Sequence, residues 1–228
     1  MQNEFDTVVF GIYPYIALTV FLVGSLVRFD REPYTWRSGS SQLLRRKQLM
    51  WGSNLFHIGV LVIFLGHFFG LLTPIWIFDA LGIAHGAKQL LAIVAGGVAG
   101  LMCLAGLALL LHRRLTDSRI RKTSSWSDLL VLWLLLAQLV LGLLTITVSM
   151  QHLDGEEMVR LMSWAQGIVT FQSDAAGYVA GVHPLFKAHL GLGMTIFLVF
   201  PFTRLVHIWS APIWYLGRRG YQIVRSRG

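Results

Sequence analysis

Charge is scarce in this sequence. Asp, Glu, Lys and Arg make up 13% of its 228 residues, whereas hydrophobic residues make up 55%. A soluble globular domain carries about twice that share of charge. The deficit, with a mean hydropathy of +0.62, excludes an ordinary soluble domain and places the chain in a bilayer. Cysteine is scarcer still: Cys103 stands alone, which excludes an intrachain disulfide and also c-type haem attachment through C-x-x-C-H. Basic residues are missing ahead of the first apolar stretch. Its flank carries Glu4 and Asp6 where an export signal would carry Lys or Arg, so the stretch is read as a retained helix. Tandem repeats, low-complexity tracts and polar segments long enough for a separate soluble domain are also missing, leaving one membrane domain over residues 1–228.

What is present is five apolar runs, at about 8–27, 51–72, 88–111, 128–148 and 185–209. Each approaches or exceeds the roughly 20 residues that cross a hydrocarbon core of about 30 Å as a helix. The expected fold is therefore all-α, an integral membrane bundle of five transmembrane helices. The longest connection, 151–182, contains a stretch at 156–169 with apolar residues at Met158, Leu161, Met162, Ala165 and Val169. That spacing predicts an amphipathic helix on the membrane surface, lying as a lid over one end of the bundle. Gly96 and Gly100 form a small-x-x-x-small pair suited to helix packing.

Orientation follows from the basic residues, which are retained on the cytoplasmic side. Sixteen of the nineteen Lys and Arg fall in the segments 28–47, 113–122 and 204–227, which share one side of the membrane. Lys88, Arg160 and Lys187 share the other with seven of the eleven acids. The N-terminus is expected outside and the C-terminus inside. This topology explains the pI of about 10.2 without a nucleic-acid partner, and the basic face is also suited to anionic lipid.

Four of the eight histidines lie inside apolar runs: His57 and His67 in the second, His189 and His207 in the fifth. Ionisable or metal-binding side chains at such positions face the bundle interior and mark function. His85, His112, His152 and His183 fall in loops or at helix ends and read as solvated or interfacial. The second and fifth helices run in opposite directions, so His57 shares one depth with His207, and His67 shares the other with His189. Facing imidazoles at one depth are what axial ligation of a haem iron requires. Ten residues, about 15 Å, separate the first pair along its helix, and eighteen, about 27 Å, separate the second. Eighteen residues are also five whole turns, which sets His189 and His207 on one face. Pro201 lies between them and is expected to bend the fifth helix, reconciling the two lengths. Gly59, Gly66, Gly70, Gly191 and Gly193 would leave room for a flat macrocycle or serve ordinary helix packing. Satisfied core histidines, a proton relay and a metal-ion site remain the alternatives at this point.

Three stretches, Ser53-Asn54-Leu55-Phe56-His57-Ile58-Gly59, Gly66-His67-Phe68-Phe69-Gly70-Leu71-Leu72-Thr73-Pro74 and Arg204-Leu205-Val206-His207-Ile208-Trp209, closely resemble the gamma subunit of respiratory nitrate reductase. Tyr13-Pro14-Tyr15-Ile16-Ala17, Tyr34-Thr35-Trp36-Arg37 and Trp164-Ala165-Gln166 extend the resemblance over essentially the whole chain.

The resemblance implies a di-haem cytochrome b of the bacterial inner (cytoplasmic) membrane, with the N-terminus periplasmic and the C-terminus cytoplasmic. Two non-covalent haem b groups are implied, the inner one on His57 and His207 and the outer one on His67 and His189. The implied substrate is a quinol, ubiquinol or menaquinol, oxidised near the outer haem. The implied partners are an iron-sulfur beta subunit and a molybdenum-containing alpha subunit, on which nitrate is reduced. Lys88 resembles a family lysine implicated in quinol binding, and Gly66 falls in the same candidate site. Arg113 and Arg114 end the third helix on the inner side, where they contact haem propionates or serve topology alone. Two rival readings stand beside this one. One is the haem b subunit of a sulfite- or heterodisulfide-linked reductase, and the other is a haem-free proton-coupled transporter.

Overall fold

Five apolar helices dominate the computed structural model, which describes residues 4–36, 44–122, 124–210 and 217. Arg37, Arg218, Arg219, Arg225 and Arg227, counted above toward orientation, lie outside the described residues. Span I is Glu4–Arg31, span II Arg46–Leu72, span III His85–Thr116, span IV Trp126–Ser149 and span V Pro184–Phe202. Successive spans alternate in direction, so one end of the bundle carries the start of span I and the other the end of span V. These are called here the N-terminal and C-terminal ends.

The spans form an open arc. Span II packs on III, III on IV, IV on V and V on I, whereas span II has at most marginal contact with span V or span I. Span II accordingly buries only 6% of its most apolar stretch, against 28% for span III. The tight II–III seam is built from glycine. A Cβ on Gly59 would stand 2.7 Å from Cys103 Cβ and 2.8 Å from Ala99 O, and one on Gly106 would stand 2.7 Å from Gly52 O and collide with Phe56 N. Such close backbone approach is what small residues provide in membranes.

This corrects part of the glycine reading. Gly59 packs against span III, Gly193 lies against Gln138 and Gly191 faces Val9, so these three do not clear space between spans II and V; Gly66 and Gly70 do face open space. Of the Gly96 and Gly100 pair, Gly100 seats Leu143 and Gly96 is open.

Span V departs from the single helix expected over 185–209. Its α-helix is Pro184–Val199, followed by a 3-10 turn at Phe200–Phe202 and, after extended Thr203, a second 3-10 segment at Arg204–Ser210. Pro201 is the cause, because it has no N–H to donate and its ring crowds the preceding turn. The effect is a break rather than a bend, so the five-turn argument for a shared face does not apply to His207.

The amphipathic segment is a helix at Glu156–Val169. It is docked on the N-terminal end through Met162, Trp164, Ala165 and Ile168, which are buried, whereas Val169 is exposed. Two side chains clasp it. Trp164 Nε1 donates to Phe10 O at 2.9 Å, and Gln166 Nε2 donates to Leu71 O and Thr73 O, both at 3.0 Å. In a regular α-helix the N–H at position 14 would bond Phe10 O, but that residue is Pro14; span I widens to a π-helix over Val8–Ile12. The indole therefore satisfies a carbonyl beside a local helix defect.

The Gly106→Ala variant must push spans II and III apart. We expect a loss of about 1–3 kcal/mol, the usual cost of overpacking, read as a lower thermal midpoint in detergent.

Candidate functional site

The four histidines meet as two pairs across the gap between spans II and V. The rings of His57 and His207 have centroids 6.4 Å apart, and those of His67 and His189 are 6.1 Å apart. The rings are inclined at 75° and 43°, neither pair being stacked. His57 and His67 are exposed within the chain. Among the described residues, no three His, Cys, Asp or Glu side chains converge as a metal-binding group. Two imidazoles per level are too few to enclose a bare ion, but they would suffice to hold the iron of a porphyrin, which brings nitrogen ligands of its own.

Hydrogen bonding assigns three of the rings. Nδ1 of His57 lies 2.7 Å from Ser53 O, Nδ1 of His67 2.8 Å from Ile63 O, and Nδ1 of His207 2.6 Å from Arg204 O. A carbonyl only accepts, so each Nδ1 carries the proton. In a neutral imidazole this leaves the Nε2 lone pair free for a metal, the arrangement that fixes ligating histidines generally. His189 differs. Its ring lies against Gly142, with Cε1 3.0 Å from where a Cβ would stand; among the described residues its buried Nδ1 has no hydrogen-bond partner, and its Nε2 lies 3.4 Å from Gln138 Nε2.

At the N-terminal end, Lys88 reaches back to span II. Its Nζ donates to Gly70 O at 3.1 Å and contacts Met162 Sδ of the capping helix at 2.8 Å, 3.6 Å above the centre of the Phe78 ring. Gly70 lies one turn beyond Gly66 and three residues beyond His67, so Lys88 and His67 serve the same end of span II. Gly66 faces open space. The loop histidines have polar roles there: His85 bonds Asp79 at 2.9 Å, and His183 caps span V by accepting from Leu185 N.

At the C-terminal end, Arg113 and Arg114 are buried and drawn into the protein. Arg113 Nη2 donates to Leu44 O at 2.8 Å, and Arg114 pairs with Asp128 at 3.2 Å. Asp128 also faces Arg204 at 3.5 Å, three residues before His207.

The profile of the nitrate reductase gamma subunit family matches residues 6–227. The chain belongs to this family. It is 55% identical over 218 residues to the respiratory nitrate reductase 1 gamma chain of Escherichia coli (strain K12), covering 96% of both chains. It is 40% identical over 220 residues to the nitrate reductase gamma chain of Bacillus subtilis (strain 168), covering 96% of this chain and 98% of that one. A more distant likeness, 27% over 207 residues, links it to the Hdr-like menaquinol oxidoreductase cytochrome b-like subunit of Archaeoglobus profundus, covering 89% of this chain and 59% of that one. As a gamma subunit it is a multi-pass membrane component of an electron-transport oxidoreductase of nitrate respiration.

A cytochrome b subunit of this family implies haem, and the residues fit it. His57 with His207, and His67 with His189, would hold it, the pairs standing with ring centres 6.4 Å and 6.1 Å apart, each across a gap in which one metal ion could be shared.

Sequence reasoning gave no role to Gln138, Gln89 and Gly142; Gln138 Nε2 donates to His189 O at 3.1 Å. Gln89 is buried in span III and donates to Ser149 O and His152 O, holding the end of span IV. For Gln89 and Gln138 the available signal was an uncharged amide inside an apolar run, where an unpaired polar group is costly. The Trp164→Phe variant leaves Phe10 O without its indole donor. We expect a loss of about 1–3 kcal/mol and faster proteolysis within residues 151–182.

Proposed function

We propose that this chain is the di-haem cytochrome b subunit that oxidises quinol at the N-terminal end of the bundle and delivers electrons at the C-terminal end. The observation that carries the reading is the pair of facing imidazoles at each of two depths, at ring separations suited to one iron each. His57 and His207 would hold the haem nearer the C-terminal end, and His67 and His189 the one nearer the N-terminal end. Haem bound there supplies reversible one-electron exchange at iron.

The chain's own residues set the conditions for that exchange. The backbone carbonyls of Ser53, Ile63 and Arg204 hold three imidazoles in the tautomer that presents Nε2 to a metal. Lys88 and Gly66 are the candidate quinol contacts. An ammonium has three donors, and Gly70 O and Met162 Sδ occupy two, leaving one for a quinol oxygen. Each quinol gives up two electrons and two protons. With the N-terminus periplasmic, as the basic-residue bias supports, the protons leave outside while the electrons move inward, storing about 2.3 kcal/mol per charge per 100 mV.

The electrons' destination is an iron-sulfur beta subunit and then a molybdenum-containing alpha subunit, where nitrate becomes nitrite. Buried Arg113 and Arg114 lie at the end that would face these partners and the inner haem propionates. The likeness to an Hdr-like menaquinol oxidoreductase subunit favours a second reading, in which the same haem core serves a heterodisulfide-linked complex. Purification from the native membrane with identification of the accompanying subunits separates the two.

A reduced-minus-oxidised spectrum of the purified protein is expected to show two b-type components, each lost selectively in His57→Ala and in His67→Ala. A spectrum without haem bands would sink the reading. In Lys88→Ala, reduction of the haems by quinol is expected to slow by about tenfold or more, the scale of one lost charged hydrogen bond. Reduction by dithionite, which bypasses the quinol site, should be unchanged.

A further inference from the structure

His207 is the one histidine of the four that no regular helix carries. It rides on the 3-10 segment Arg204–Ser210, beyond the break that Pro201 makes. A short 3-10 piece holds its own geometry poorly, so its position must be fixed from outside, and span I supplies the fixing.

A stripe on span I receives the break. The added Cβ of a residue at Gly24 would meet Pro201 Cγ at 2.9 Å, so only glycine seats the proline ring there. Phe21, nearly one turn earlier, meets Phe200 edge-on at 4.8 Å and Trp209 at 5.5 Å. One turn after Gly24, Arg28 Nη1 donates to Pro201 O at 2.6 Å and to Thr203 O at 2.8 Å. Its Nε and Nη2 donate to Thr35 Oγ1 and Thr35 O, both at 3.2 Å. One planar guanidinium thus joins the end of span I, the connection that follows it, and the two carbonyls that flank the break.

We propose that Arg28 is a positioning residue for His207, fixing the angle at which its imidazole meets His57, in addition to any part it plays in topology. The reach is short. Thr203 O is bound by Arg28, the next residue Arg204 accepts from His207 Nδ1 through its own carbonyl, and the Arg204 side chain faces Asp128. A fork with five fixed donors does this, and a lysine, with a point charge on a flexible stem, does not. The inference rests on the haem reading above, and it concerns one pair only: the His67–His189 pair stands on unbroken helices and serves as an internal control.

The test is an optical redox titration with electron paramagnetic resonance on the complex in native membranes. Spectra of His207→Ala and His67→Ala first assign the two components. Arg28→Gln and Arg28→Lys are then expected to shift or abolish the component that His207→Ala removes, leaving the other at its wild-type midpoint and line shape. Gly24→Ala displaces Pro201 without altering charge, and it should perturb the same component. The proposal is overturned if these variants leave both components unchanged or disturb both equally. Absence of haem from the wild-type protein would instead remove the underlying reading.

Discussion

An imidazole in hydrocarbon has two nitrogens to satisfy, and for three of these four histidines the chain a turn back satisfies only one. At His57, His67 and His207 a backbone carbonyl three or four residues back takes the Nδ1 proton. The other nitrogen must find its partner outside that helix, and a second imidazole stands across the gap, with ring centres 6.4 Å apart in one pair and 6.1 Å in the other. The fold follows from keeping that gap. Spans II and V stay apart, so the bundle closes through III and IV, and the glycine seam between II and III makes up for contact that span II lacks elsewhere.

The ends of the spans obey the same rule for backbone groups. A helix leaves its last carbonyls without intrahelical donors, and at the membrane boundary side-chain amides supply them. Gln166 closes span II, and Gln89 closes span IV. The first of these also fixes the capping helix, whose Met162 touches Lys88. Satisfying the end of span II and shaping the surroundings of the candidate quinol lysine are therefore one piece of structure.

The five spans were legible because an apolar run of membrane length has few alternatives, and the capping helix at 156–169 because its apolar spacing was regular. Which histidines pair was legible because antiparallel helices fix their order, though counting alone did not match the two depths. Contacts across helices were not. Gly59 and Gly66 look alike in sequence, yet one meets Cys103 and the other open space, a difference set by which neighbour packs alongside. Val169 continued an apolar spacing but lies past the docked face, while Trp164 turned inward because its N–H had a carbonyl to reach. Arg28 was counted as one basic residue among many, since nothing local marks a guanidinium that bonds residues more than 170 positions away.

Pro201 also resolves a mismatch that counting left standing. An unbroken helix would carry His207 about 27 Å along its axis from His189, while His67 and His57 lie only about 15 Å apart on theirs. Both pairs could not then face at equal depth. The α-helix stops at Val199, Thr203 is extended, and His207 then stands on a separate 3-10 segment with its ring centre 6.4 Å from that of His57. The break brings His207 level with His57, at the expense of regular hydrogen bonding around residues 200–203. Thr203 N and Oγ1 serve Phe200 O locally, whereas Pro201 O and Thr203 O take their donor from Arg28 on span I. A proline that adjusts the depth of a ligand thereby creates the need for the arginine that holds it.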